Sequence, residues 1–143
     1  MATEQKYVFK LADVPFIQSP DGAMRDSVMI THETCGSQQF TAGLFWVRPH
    51  AHGHPDTHFD EEEVFYIIQG QADIHMNDKP VSVKAGDVVF VPAGVTHLVF
   101  NTGDEVYCAF WLIGAKWSAL PDIRESLGQW PEIKPGTPWA RGS

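Results

Sequence analysis

The sequence predicts an all-β fold, a barrel or sandwich of short strands, closed by one short helix and a tail rich in proline and tryptophan. Three observations predict it. The apolar runs are short and rich in β-branched and aromatic residues, Gly, Pro and Asp interrupt them at close intervals, and no long stretch carries a helical repeat. Taken in order, KYVFKL (6–11), RDSVMITH (25–32) and QFTAGLFWVR (39–48) are the first three expected strands. EVFYIIQ (63–69) stops at Gly70, QADIHM (71–76) at Asn77 and Asp78, and PVSVK (80–84) at Ala85, Gly86 and Asp87. DVVFV (87–91) stops at Pro92, Ala93 and Gly94, HLVFN (97–101) at Thr102, Gly103 and Asp104, and EVYCAFWLI (105–113) completes the set. Then the character changes. Pro121 before DIRESL, with Gly128 after it, reads as a short helix. Pro131, Pro135 and Pro138 prevent that helix from continuing and exclude a central strand. Trp117, Trp130 and Trp139 nevertheless belong to this tail, so it is expected to pack on the barrel or on a second subunit.

The chain of 143 residues fits a single domain with one core. Its 18 acidic against 10 basic residues give a net charge of −8, which disfavours nucleic acid and anionic membrane surfaces as partners. The N-terminal residues lack the basic and apolar regions of a secretory signal, and the longest uncharged apolar stretch, 106–115, is about half a membrane span. A cytoplasmic protein is the expectation. Cys35 and Cys108, 73 positions apart, form no CxxC pair and read as small packing residues.

Histidine is unevenly spread. His50, His52, His54 and His58, four of the seven, fall within nine residues and are followed by Asp60, Glu61, Glu62 and Glu63. In a regular strand over 48–58, His50, His52, His54, Asp56 and His58 would share one face, where they and Glu63 could donate to a metal. A solvated polar loop is the plain alternative. A second site decides between them. Residues 86–101 have the form G(X)5PXG(X)2H(X)3N, in which Pro92 and Gly94 make a turn and His97 opens the strand after it.

This stretch is similar to the second sequence motif of the cupin superfamily at every fixed position. The first cupin motif is G(X)5HXH(X)3–4E(X)6G, and the run from Glu63 to Gly70 resembles its second half, 15 residues ahead of the next motif. The chain is therefore identified as a member of that superfamily. The resemblance implies a double-stranded β-helix, or jelly-roll, barrel over about 36–113, with 114–143 as a C-terminal packing segment of the same domain, 1–143. It also implies one bound metal. The start of the first motif departs from the pattern: the ungapped match places Asp56 where the family has its first histidine, and gives Asp56, His58, Glu63 and His97 as ligands. Two other registers remain open, with His52 and His54, or His54 and His58, as the pair. The ungapped match is preferred because rigid strands keep spacing when ligand identity drifts.

Two imidazoles with two carboxylates and no thiolate point to one divalent transition metal: Mn²⁺, Fe²⁺, Zn²⁺ or Ni²⁺. His54 is then free to act as general acid or base beside it. Alternation places Phe65 and Ile67 on the face of Glu63, and Val99 and Asn101 on that of His97. The strands 39–48 and 105–113 are apolar on both faces, which leads to the expectation of a homodimer. His32 and His75 are read as ordinary packing or surface residues. The partner expected from this chemistry is a small oxygenated metabolite. The reading is a metal-dependent enzyme, non-oxidative (isomerase, lyase or cyclase through a metal-stabilised enolate). The alternatives are an Fe(II) dioxygenase and a non-catalytic cupin that binds a small molecule or sugar. The fold alone does not choose among them.

Overall fold

The computed structural model describes residues 4–120, 123, 127–137 and 139. Among the described residues, ten strands form two antiparallel sheets. In chain order they are β1 (Phe16–Gln18), β2 (Met24–Ile30), β3 (Thr41–Val47), β4 (Glu63–Gln69), β5 (Gln71–Met76), β6 (Lys79–Lys84), β7 (Val88–Val91), β8 (His97–Phe100), β9 (Tyr107–Ile113) and β10 (Glu132–Ile133). The larger sheet runs β10-β1-β2-β3-β9-β4-β7 and the smaller β6-β5-β8. Sequence neighbours β4 and β5 thus belong to different sheets, the jelly-roll arrangement that lets the two sheets enclose one interior.

The interior follows from alternation. Glu63, Phe65 and Ile67 of β4 are buried while Tyr66 and Ile68 face out, and His97, Val99 and Asn101 are buried along β8. On β3 the inward face carries Thr41, Phe45 and Val47, and on β9 it carries Tyr107, Ala109, Trp111 and Ile113. Phe45 stands 5.4 Å from both Phe65 and Tyr107, ring to ring, and ties the three strands together. Between β5 and β6 the two residues Asn77 and Asp78 both have positive φ, 46° and 70°, as a tight two-residue hairpin turn requires.

Two expectations are corrected. Residues 6–11 do not form a strand: Leu11–Asp13 is a 3-10 turn, and Tyr7 and Val8 are exposed. Their alternating pattern finds no partner strand, and the position is taken instead by β1, which pairs with β2 and β10. Segment 48–58 is not a regular strand either. His50 has φ of 60°, and the segment touches β8 only at two bridges, His52 to Phe100 and Asp56 to His97. The register slips by one residue between those bridges, so the five side chains cannot share a face. The sequence also gave no warning of a one-turn helix α1 (His32–Cys35), capped by the Thr31 side chain and ended by left-handed Gly36. The helix expected between Pro121 and Gly128 lies largely outside the described residues. Among the described residues no helix is long and apolar enough to cross a membrane.

Candidate metal centre and ligand cavity

Four of the predicted residues meet at one end of the interior. Glu63 opens β4 between β7 and β9, where it pairs with Val91 and Ile113. His97 opens β8 and exchanges both backbone hydrogen bonds with Asp56, at 3.0 and 2.9 Å. The turn before β8 fixes the fourth: Gly94 N–H donates to the His58 carbonyl at 2.7 Å. Thus the second motif holds His97 by its strand and His58 by its turn, and Asp56 is pinned by the same strand.

The side chains converge. Nε2 of His97 lies 3.0 Å and Nε2 of His58 3.3 Å from Glu63 Oε1, and His58 Nε2 lies 3.7 Å from Asp56 Oδ2. Asp56, His58 and His97 each offer a donor atom within 4.8 Å of the others. His58, Glu63 and His97 are buried, whereas the Asp56 side chain is 48% exposed. His97 Nδ1 is 3.1 Å from the Val95 carbonyl, which can only accept, so Nδ1 carries a proton and Nε2 is the nitrogen that can offer a lone pair to a cation.

The electrostatics are strongly coupled. Burial works to raise the Glu63 carboxyl, but the two imidazoles pressed against it hold it below its ordinary value. Burial works to lower His58 and His97, but Glu63 beside them outweighs it and both are raised. Asp56 is raised by burial, against the pull of the two histidines. Among the described residues, His58 Nε2 and Glu63 Oε1 are buried with no well-aligned hydrogen-bond partner. Such orphaned atoms cost about 1–3 kcal/mol each, and a cation between them would remove that cost. The donor set fits a divalent transition metal.

The other histidines lie elsewhere. His50 Nε2 meets Asp104 at 2.7 Å on the surface. The His52 ring lies 5.4 Å from that of Phe100, whose other neighbour is His75 at 4.5 Å. His54 stands at the cavity wall with its ring 5.4 Å from Trp130. Of the three registers, the structure brings together the residues of the ungapped one, and it does not bring His52 to the centre.

Beside this centre opens a cavity of about 150 Å³. A space of that order holds a molecule the size of benzene, about six heavy atoms. Phe45, Phe65 and Trp111 line it from the sheet, and Ile123, Leu127 and Trp130 from the tail. The tail's last tryptophan takes another role: the Trp139 ring lies 4.4 Å from the Arg25 guanidinium and 5.0 Å from that of Arg48. One polar lining residue escaped the sequence reasoning. Asp26 on β2 is buried and accepts a hydrogen bond from Trp111 Nε1 at 3.1 Å. The only signal was a lone carboxylate inside an expected strand, which ordinarily faces water.

Comparison with known proteins agrees with this fold. The family model described as "Cupin domain" matches residues 43–113. The oxalate-binding protein of Thermotoga maritima is 45% identical over 47 residues, 33% of this chain and only 39% of that protein's length. Protein SchB of Streptomyces halstedii is 28% identical over 104 residues, covering 73% of this chain and 74% of SchB. Among solved structures, a predicted oxalate decarboxylase from Thermotoga maritima superposes with a TM-score of 0.66 at 24% identity, over 76% of this chain and 99% of that one. With both motifs, the two-sheet barrel and the matching family model in place, the chain belongs to the cupin superfamily.

Proposed function

We propose that the protein is a metal-dependent enzyme that carries out non-oxidative proton chemistry on a small carboxylate or oxo acid. The observation that carries this reading is the convergence of two buried imidazoles and two carboxylates beside a cavity walled largely by apolar and aromatic side chains, with a further imidazole, His54, at its wall. Asp56, His58, Glu63 and His97 would hold one divalent ion, which supplies Lewis-acid polarisation of a ligand oxygen when bound. The chain's own residues supply the rest. His97 is held in one tautomer by the Val95 carbonyl, so its donor nitrogen needs no reorganisation. Phe45, Phe65 and Trp111 exclude water and favour a ligand with an apolar flank. His54 gives or takes a proton at the carbon next to the polarised oxygen, and Trp130 limits where its ring can swing. The name of the Thermotoga maritima oxalate-binding protein supports a small carboxylate as ligand. The same name favours a second reading, that of a binding module without turnover.

The test combines metal analysis with exchange. Untagged protein is expected to carry about one transition metal per chain, lost on His58→Ala and retained on His52→Ala. In deuterated water without oxygen, deuterium should enter keto acids such as pyruvate, and His54→Ala should slow this by about a hundredfold while keeping the metal. Ligand binding without exchange would support the binding module. A His52→Ala variant that loses metal would overturn the ligand set.

A further inference from the structure

The metal-facing side chains occupy one pole of the cavity, and a single carboxyl lines it from β2. Asp26 is 5% exposed, and its Oδ1 accepts from Trp111 Nε1 across an intervening strand. Trp111 belongs to β9 and Asp26 to β2, with β3 between them. The β3 residue paired with Trp111 is Gly43, which is in turn paired with Val28 of β2. A Cβ on Gly43 would stand 2.9 Å from Trp111 Cζ2 and 2.2 Å from the Ser27 carbonyl oxygen. The bare backbone at Gly43 is therefore what lets the indole cross β3 and reach the carboxyl.

Indole N–H is a donor only, so it fixes Oδ1 as the acceptor. The neighbouring Arg25 is engaged elsewhere, with Nε 2.7 Å from Gln18 Oε1. Burial, with Glu63 and Asp56 as acidic neighbours, raises the Asp26 carboxyl well above its ordinary range. The Ser27 backbone N–H also donates to this carboxyl, and burial favours its neutral form, which can donate a hydrogen bond.

We propose that Asp26 is the second polar contact of the cavity, the hydrogen-bond donor that selects ligands with two oxygen functions, namely small dicarboxylates or keto acids. One oxygen function lies at the metal pole and the other at β2, with the carbon skeleton against Phe45 and Phe65. This inference rests on the metal-pole reading above. The nearest chemical precedent is general: a site built to hydrogen-bond a ligand oxygen rejects analogues that lack it, because its own buried group is then left unpaired.

The experiment is a calorimetric titration of the full chain loaded with manganese, using acetate, oxalate, malonate and succinate as probes. At least one diacid should bind the natural protein about tenfold more tightly than acetate, and Asp26→Leu should erase that preference by weakening diacid binding about tenfold more than acetate binding. Asp26→Asn still accepts from Trp111 and still donates, so it should keep the diacid affinity to within about threefold. No diacid preference in the natural protein, or a preference that survives Asp26→Leu, overturns the inference. An equal loss for acetate and diacids in both variants marks a purely structural carboxyl and overturns it as well. If manganese itself does not bind, the metal-pole reading fails first and takes this inference with it.

Discussion

Replacing Gly43 by alanine tests the packing that carries Trp111 to Asp26. The new methyl would stand 2.2 Å from the Ser27 carbonyl oxygen, where ordinary contact is about 3.4 Å, so β2 and β3 must part by about 1 Å locally. Both obstacles resist: one is backbone in the sheet ladder and the other an indole buried against Asp26. Weakening one or two ladder hydrogen bonds at about 1 kcal/mol each, with about 1–3 kcal/mol of overpacking, gives a destabilisation of about 2–5 kcal/mol. For a chain of this size that lowers Tm by roughly 6–20 °C. The assay is thermal unfolding of chelator-treated protein followed by circular dichroism. Gly114→Ala serves as the control, because its new methyl would meet only the Glu62 carbonyl oxygen at an ordinary 3.7 Å. A Gly43→Ala shift smaller than about 3 °C would refute the reasoning, since the sheet would then have absorbed the methyl without cost.

Stability of the metal-free protein should depend on pH in a defined direction. Glu63 is held below its ordinary 4.5, so its contribution is present above that value and lost as pH falls through the lowered one. His58 and His97 are raised above 6.5, so theirs is complete below that value and lost as pH rises through the raised ones. Asp26 and Asp56, both raised, also favour the folded state less as pH rises. Tm without metal should therefore fall as pH rises from 6.5 through neutrality, whereas manganese should flatten or reverse the fall by replacing protons on the same nitrogens; a metal-free Tm that climbs steadily from pH 6 to pH 8 would contradict the coupling. The outer face of the larger sheet makes the oligomer testable too. Tyr66, Ile68, Val88, Phe90 and Phe110 are exposed there, with Phe90 at 56%, and the cross-strand pairs Tyr66 to Val88 and Tyr66 to Phe110 make the patch continuous. The homodimer we propose through this patch should appear in sedimentation analysis and dissociate on Phe90→Glu; a monomeric natural protein would end the idea.

The strands between Glu63 and Ile113 were legible almost to the residue because each apolar run ends at a turn with demanding chemistry, as at Asn77 and Asp78. The start of the chain was not. KYVFKL has the composition of a strand, but pairing is a property of two segments, and nothing in the run itself shows that β1 and β10 occupy that edge. The centre divided in the same way. His97 and Glu63 could be placed because the resemblance to the two cupin motifs ties them to Gly94 and Gly70. Segment 48–58 could not be placed by alternation, because His50 with positive φ and the slipped register against β8 break the period. Asp26 was invisible for a third reason: its burial depends on Gly43 and Trp111, two residues on two other strands.

The matched cupin domain spans 43–113, and every side chain of the metal pole lies within it. Several walls of the cavity do not: Met24 and Asp26 precede it, and Ile123, Leu127 and Trp130 follow it. Part of the ligand-fitting wall is thus encoded outside the stretch that holds the ion. The flanking stretches can diversify under selection for new ligands while the ion-holding part stays fixed. A library varied at those five flanking positions alone would sample ligand preferences across a constant metal chemistry.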